Sequence, residues 1–194
     1  KLEARVAEIL KNDITAHDIH HSNRVYNLAI KIGCGENWDY DDDIVHAIAF
    51  LHDTGYTVPE SAKVGYISHP DYSVELANVI LPEVGFPESK IEIVKKGIKL
   101  HDMTKPWSIA NRIPTDIKEI LMIQDADNVE GMGAMGVARI LLYSFRTGMK
   151  IYDPELPLND PTANRKSAIH NLLWHLNLDE NLNTETAKNM VQER

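Results

Sequence analysis

The ten residues 47–56, AIAFLHDTGY, decide how this chain is read. Ala47 to Leu51 are apolar without a break, His52 and Asp53 follow side by side, and Thr54-Gly55 then lets the chain leave. Burying either ionisable group unpaired would cost several kcal/mol. A helix that carries both of them toward a core therefore needs a partner for them elsewhere in the chain.

Outward from this stretch the apolar spacing is helical almost throughout, and no stretch gives strand alternation flanked by turn residues. Val25, Leu28 and Ile32 mark one helix that stops near Gly33 and Gly35. Asp41 to Asp43 supply the acidic start of the next, which ends near Asp53. Pro70 opens a third, carried by Val74, Ala77 and Leu81; Ile91, Val94 and Ile98 define a fourth, and Ile117, Ile120 and Leu121 a fifth. Further helices are predicted around 134–147 and 162–176, and Asn183 or Thr184 caps the last. The expectation is an all-α fold in a single domain, 1–194, with its site within 21–127 and a helical extension over about 150–194. Two connections, 54–69 and 102–114, are long for a helical domain and hold Lys63, Lys105 and Arg112; loops of that length are usually functional or disordered. The glycine-rich piece 131–136 follows a helix and lacks the Gly-Lys-Ser/Thr ending of a phosphate loop, so it reads as close helix packing.

A chain of 194 residues that is 43% hydrophobic and 25% charged can bury a substantial core. Its 29 acidic and 20 basic side chains leave a net charge of -9, which argues against duplex nucleic acid or an anionic membrane as partner. A phosphorylated small molecule still fits, because bound cations reverse the local field. The single cysteine, Cys34, cannot form an internal disulfide, and no apolar run approaches the roughly 20 residues that span a bilayer. With no signal peptide apparent, a cytoplasmic location is expected. An exposed C-terminal helix could pair two copies into a homodimer.

His21 shares a helix face with Val25 and Leu28, His52 with Val45 and Ile48, His101 with Val94 and Ile98, and Asp127 with Ile120. Each alone reads as a satisfied core histidine or a capping aspartate. Inward His and Asp groups on several helices suggest instead a shared metal, and imidazole with carboxylate suits Mn, Fe, Zn or Ni better than Ca. Adjacent helical residues point about 100° apart. An ion reached by both His52 and Asp53 must then lie beside the helix end, where Thr54-Gly55 permits unwinding.

The ordered stretches HHSNRVYNLA (20–29), AIAFLHDTGY (47–56) and IQDADNVEGMGAMGVAR (123–139) resemble the HD-domain metal-dependent phosphohydrolases. The likeness continues through HPDYSVELANVIL (69–81), IVKKGIKLH (93–101) and the tail TETAKNMVQER (184–194), which is similar to that of stand-alone bacterial members. It implies His21, His52, Asp53 and Asp127 as metal ligands, with Asp125 the alternative to Asp127, and His69 and His101 as residues that could hold a second ion. The implied cofactor is one or two divalent ions, Mn, Fe, Co, Ni or Zn, with Mg also able to serve. Asn128 departs from the pattern by standing where relatives commonly carry Arg, which removes a bidentate contact and implies a shifted substrate preference. His17, His20, His46, His170 and His175 match nothing in the family pattern and read as surface or core histidines.

The implied chemistry is hydrolysis of a phosphoester or phosphoanhydride by a water that the metal activates. Asp53 and Glu130 are the candidate catalytic carboxylates, with Asp102 an alternative base; the metal's own water ranks ahead of Glu130 and Asp102. Arg24, Lys63, Lys105, Arg112 and Arg139 are the candidate phosphate binders. The expected substrate is a nucleotide or similar soluble phosphorylated metabolite. The alternatives are a two-metal phosphodiesterase opening cyclic dinucleotides, which lacks its Gly-Tyr-Pro motif here, and a non-catalytic regulatory domain stabilised by metal.

Overall fold

The computed structural model describes residues 1–13, 16–58, 68–104, 111–158, 166–175 and 181–193; Lys63 and Lys105 lie outside them. Among the described residues the fold is all-α, with no strand and one isolated bridge between Lys150 and Ser167. The first helix, α1 (Leu2–Leu10), was not anticipated from the sequence. Leu2, Val6 and Leu10 bury one face of it at four-residue spacing, which is a signal too short to separate from chance.

α2 (Ile19–Gly35) starts where the Asp18 carboxylate accepts a hydrogen bond from the His21 backbone N–H at 2.9 Å. That cap sets the helix phase and so the inward face that His21 shares with Val25, Leu28 and Ile32. α3 (Asp42–Leu51) is capped by Asp41, which accepts from the N–H groups of Asp43 and Ile44. α4 (His69–Val84) opens on a capping box made by Ser68 and Asp71 and closes on Gly85 at φ 76, a conformation suited to glycine. α5 (Glu88–Leu100), α6 (Lys118–Glu130), α7 (Gly133–Arg146), α8 (Ala168–His175) and α9 (Glu185–Gln192) complete the order. Thr184, one of the two anticipated caps, accepts from the Ala187 N–H at the start of α9.

α6 packs against α2, α3 and α5, and α5 closes on α3 and α4. A Cβ added at Gly97 of α5 would meet Ile48 Cδ1 at 2.3 Å, so the approach of α5 to α3 depends on this glycine. Ile32, Ile48, Leu51, Ile80, Leu81, Ile98, Ile120 and Met122 fill the space between these helices. α6 is buried on every side from Met122 to Glu130, yet it carries Gln124, Asp125, Asp127, Asn128 and Glu130. Each of those polar groups needs a partner inside the protein. Gln124 donates to the Leu100 carbonyl, and Asn128 donates to Thr104 Oγ1. Asp125 accepts from the backbone N–H and side-chain amide of Asn183 and from the N–H and hydroxyl of Thr184. It is therefore a buried clamp on the start of α9.

α9 also packs Met190 and Val191 on the core. Among the described residues the most exposed large apolar side chain is Phe145 of α7, 76% accessible, and Met135, Val137, Leu141 and Leu142 of the same helix are also exposed. No helix among the described residues is long and apolar enough to cross a membrane.

After Leu51 the chain makes a single tight turn, Thr54–Thr57. Thr54 Oγ1 donates to the Leu51 carbonyl, while Ser73 Oγ on α4 donates to the His52 carbonyl at 2.7 Å and accepts from the Gly55 N–H at 2.8 Å. The end of α3 is thus tied to α4 through one hydroxyl. A Cβ at Gly55 would stand 2.1 Å from the His69 carbonyl oxygen, a backbone atom that cannot swing aside. Gly55→Ala is expected to cost about 2 kcal/mol or more, lowering Tm by about 4–8 °C for a chain of this size. A thermal scan showing no shift would mean that α4 is not held at this distance.

Candidate metal centre

Five elements converge at the end of α3. α2 brings His21, the exit from α3 brings His52 and Asp53, the first residue of α4 is His69, α5 ends on His101, and α6 supplies Asp127. Asp53 leaves helical geometry at φ -108 and ψ 5, which turns its carboxylate back beside the His52 ring. Its Oδ2 lies 3.2 Å from the Nε2 atoms of both His21 and His52. Its Oδ1 lies 3.3 Å from His69 Nε2 and 3.4 Å from His101 Nε2. One buried carboxylate therefore stands between two imidazole pairs. Asp127 Oδ1 is 3.6 Å from His21 Nε2, and Asp127 also groups with His52 and His101.

The donor chemistry fits divalent cations. His52 Nδ1 and His101 Nδ1 lie 2.8 and 2.7 Å from the carbonyls of Ala49 and Ile98. Those acceptors require N–H at Nδ1 and leave the Nε2 lone pairs facing the centre. His21 and His52 then present Nε2 atoms 3.2 Å apart, as do His69 and His101. Ligands about 2.1 Å from one ion, at right angles to each other, stand about 3.0 Å apart, close to these separations. Three groups among the described residues have ligand atoms mutually within 4.8 Å: His21, His52 and Asp53; His52, His101 and Asp127; and Asp53, His69 and His101.

The local field favours positive charge. Burial opposes a charged ring at His101, yet Asp53 and Asp102 outweigh it and push the pKa up to about 9. At His21, burial and Arg139 oppose protonation, but Asp53 and Glu130 prevail and raise the pKa. Burial favours a neutral Asp53, but the surrounding imidazoles, led by His52 and His17, hold its carboxyl well below the usual range.

Glu130 sits behind His21 rather than in front of the reaction space. Its Oε2 is 3.2 Å from His21 Nδ1, an approach that falls short of hydrogen-bond geometry but sets a carboxylate against the back of the ring. Arg24 Nε donates to Glu130 Oε1 at 2.7 Å, and Arg139 donates to Oε2. Burial would raise the Glu130 pKa, but His21, Arg139 and Arg24 bring it down to about 2. Locked as an anion between two guanidinium groups, Glu130 is poorly suited to the role of general base. Arg24, spent on this pair, faces a separate groove of about 320 Å3 beside Asp13, Asp18 and Arg146, which contains none of the grouped ligands. Arg112 donates to Asn183 Oδ1 and does not line the metal cleft.

The cleft itself, about 100 Å3, is bounded on one side by Asp53, His69, His101, Asp102 and Asp127. Across from them stand Arg139, Ile140 and Tyr143 of α7 with Asn171 and His175 of α8. Sequence reasoning left His17 and His175 as ordinary histidines, yet both line this cleft. His17 stacks on Tyr56 at 4.1 Å, and Tyr56 on His69 at 4.2 Å, so Tyr56 is a wedge between two imidazoles. No helical spacing announced His17, which precedes the extended Asp18 cap of α2. Nothing local announced Asn171.

The sequence model of the HD domain matches residues 18–132. The chain belongs to the HD-domain family. The match covers α2 to α6, which carry all six grouped ligands, while α7, α8 and α9 follow it. YpgQ of Bacillus subtilis (strain 168) is 28% identical over 196 residues, covering 97% of this chain and 82% of YpgQ. A crystal structure of YpgQ in complex with ADP superimposes with a TM-score of 0.68 at 24% identity, covering 99% of this chain and 89% of that one. A protein of Lactobacillus plantarum gives 0.78 at 24% identity, covering 100% of this chain and 87% of its own. An HD-superfamily hydrolase of Bacillus thuringiensis gives 0.67 at 24%, covering 100% and 86%. At these identities the structural likeness is one of fold.

Proposed function

We propose that this HD domain is a metal-dependent hydrolase of phosphoester or phosphoanhydride bonds, acting on a nucleotide or a similar phosphorylated metabolite. The observation that carries the reading is the Asp53 carboxylate, with one oxygen shared by His21 and His52 and the other by His69 and His101. Two ions bound there would polarise the phosphoryl group and ready a water for attack. The remaining work falls to the chain. Arg139 is a cation of the cleft, and its guanidinium is held by Glu130 and by the Ala16 carbonyl, so it meets a phosphate without first being ordered. Glu130 fixes the back of His21. Asp102 lines the cleft outside the three ligand groups and is the carboxylate best placed to accept a proton. The ADP bound by YpgQ and the hydrolase name of the Bacillus thuringiensis relative support a nucleotide substrate and a hydrolytic reaction. We read the whole chain as one HD-type unit whose α7 and α8 complete the cleft.

The second ligand triad, Asp53 with His69 and His101, also favours a cyclic-dinucleotide phosphodiesterase. One experiment separates the readings. Nucleoside triphosphates, nucleoside monophosphates and cyclic dinucleotides are assayed with Mn, Mg, Co or Ni, and release of phosphate or pyrophosphate is followed. We expect triphosphate turnover that chelation abolishes and a transition metal restores. Opening of cyclic dinucleotides alone would select the second reading. Full metal occupancy without any turnover would make the protein a metal-stabilised regulatory domain.

A further inference from the structure

Asn171 is 4% exposed and lines the metal cleft, and its side-chain amide has no hydrogen-bond partner among the described residues. Its backbone is satisfied: the N–H donates to the Ser167 carbonyl, and its own carbonyl accepts from His175 Nδ1. A carboxamide offers two donors and one acceptor and stays neutral at any ordinary pH. The amide is not sealed from solvent, so its donors and acceptor open onto the cleft and are available to a group that enters.

The cleft is chemically graded along α7. Gly136, Arg139, Ile140 and Tyr143 line it at helical spacing, a face about 10 Å long. Arg139 reaches Glu130, directly behind His21, so that part of α7 lies against the metal centre. Tyr143 stands one turn further on, and α8 adds Asn171 and His175. The metal end, with its carboxylates and Arg139, suits phosphates. Beyond Arg139 the wall formed by Ile140, Tyr143 and Asn171 carries no acid or base and is partly aromatic, which suits a flat, uncharged group bearing both donors and acceptors.

Building on the nucleotide reading above, we infer that Asn171 is the specificity-determining residue of the cleft, hydrogen-bonding the nucleobase of a nucleotide whose phosphates lie at the metal centre. Helices beyond the matched HD domain would then choose the substrate, and the HD domain would supply the chemistry.

The test compares wild type with Asn171→Ala and the isosteric Asn171→Asp, each checked for metal content and cooperative unfolding. kcat/KM is measured for ATP, GTP, CTP and UTP and for inorganic tripolyphosphate, which has phosphates and no base. Both variants are expected to lose roughly 10–100-fold on the preferred nucleotide, mainly through KM, and to narrow the spread among bases. For Asn171→Ala, which adds no charge to the cleft, tripolyphosphate turnover should stay within about twofold. A parallel fall for tripolyphosphate in Asn171→Ala, or loss of metal in both variants, would overturn the inference by making Asn171 a structural residue. Unchanged nucleotide kinetics would overturn it alone. Wild type that hydrolyses tripolyphosphate but no nucleotide would overturn both it and the nucleotide reading.

Discussion

Asp53→Ala is expected to release bound metal and lower hydrolysis by about a thousandfold or more. Among the described residues Asp53 is the one whose two oxygens reach both imidazole pairs, at 3.2 Å on one side and 3.3–3.4 Å on the other. Removing it takes away the shared negative ligand and leaves four imidazoles and Asp127 to hold dications. The metal's stabilisation of transition-state charge is worth several kcal/mol, and each 1.36 kcal/mol is about tenfold in rate. Asp53→Asn keeps the shape and removes the charge, so it should fail nearly as badly. His69→Ala touches only the Oδ1 side and should cost one ion while leaving the His21 and His52 side occupied. Elemental analysis of purified variants alongside kcat checks the series. Asp53→Ala protein that retains its full metal complement would sink the bridging role of this carboxylate.

How much of this was legible in the sequence follows from where the partners sit. The α3 anchor and the inward phase of His21, His52 and His101 were readable because each lies on a helix with one apolar face. α6 was not, because it is buried from Met122 to Glu130 on all sides and its polar residues follow partners rather than a period. Asp125 and Asp127 therefore remained alternatives in the sequence. What separates them is Asn183 and Thr184, whose distance along the chain no local pattern encodes. Arg24 shared a face with His21, which made a substrate role plausible, but Glu130, 106 residues away, takes its guanidinium. Asn171 was invisible for a simpler reason: an asparagine on a helix has many uses, and only its place in the cleft wall marks this one.

Asp125→Ala is expected to weaken the fold strongly while sparing the metal, and Asp127→Ala to do the reverse. The Asp125 carboxylate accepts two hydrogen bonds from Asn183 at 2.8 Å each and two from Thr184 at 2.8 and 2.7 Å. Hydrogen bonds to a charged acceptor are worth about 1.5–3 kcal/mol each when partners are left buried. The contributions are not additive, so about 3 kcal/mol is the expected loss, or roughly 6–12 °C in Tm. Asp125→Asn would turn an amide toward donors on Asn183 and Thr184, so it should recover only part of that. Below their unfolding temperatures both variants should still bind metal, because no Asp125 oxygen belongs to the ligand groups. Asp127→Ala deletes a carboxylate that groups with His52 and His101 and lies 3.6 Å from His21. It should lose metal and activity with a smaller change in the metal-free melting temperature. Thermal scans of chelated protein, set beside elemental analysis of the reconstituted protein, read the two effects independently. Metal lost from Asp125→Ala and retained by Asp127→Ala would assign the ligand to Asp125 and make the contacts to Asn183 and Thr184 secondary.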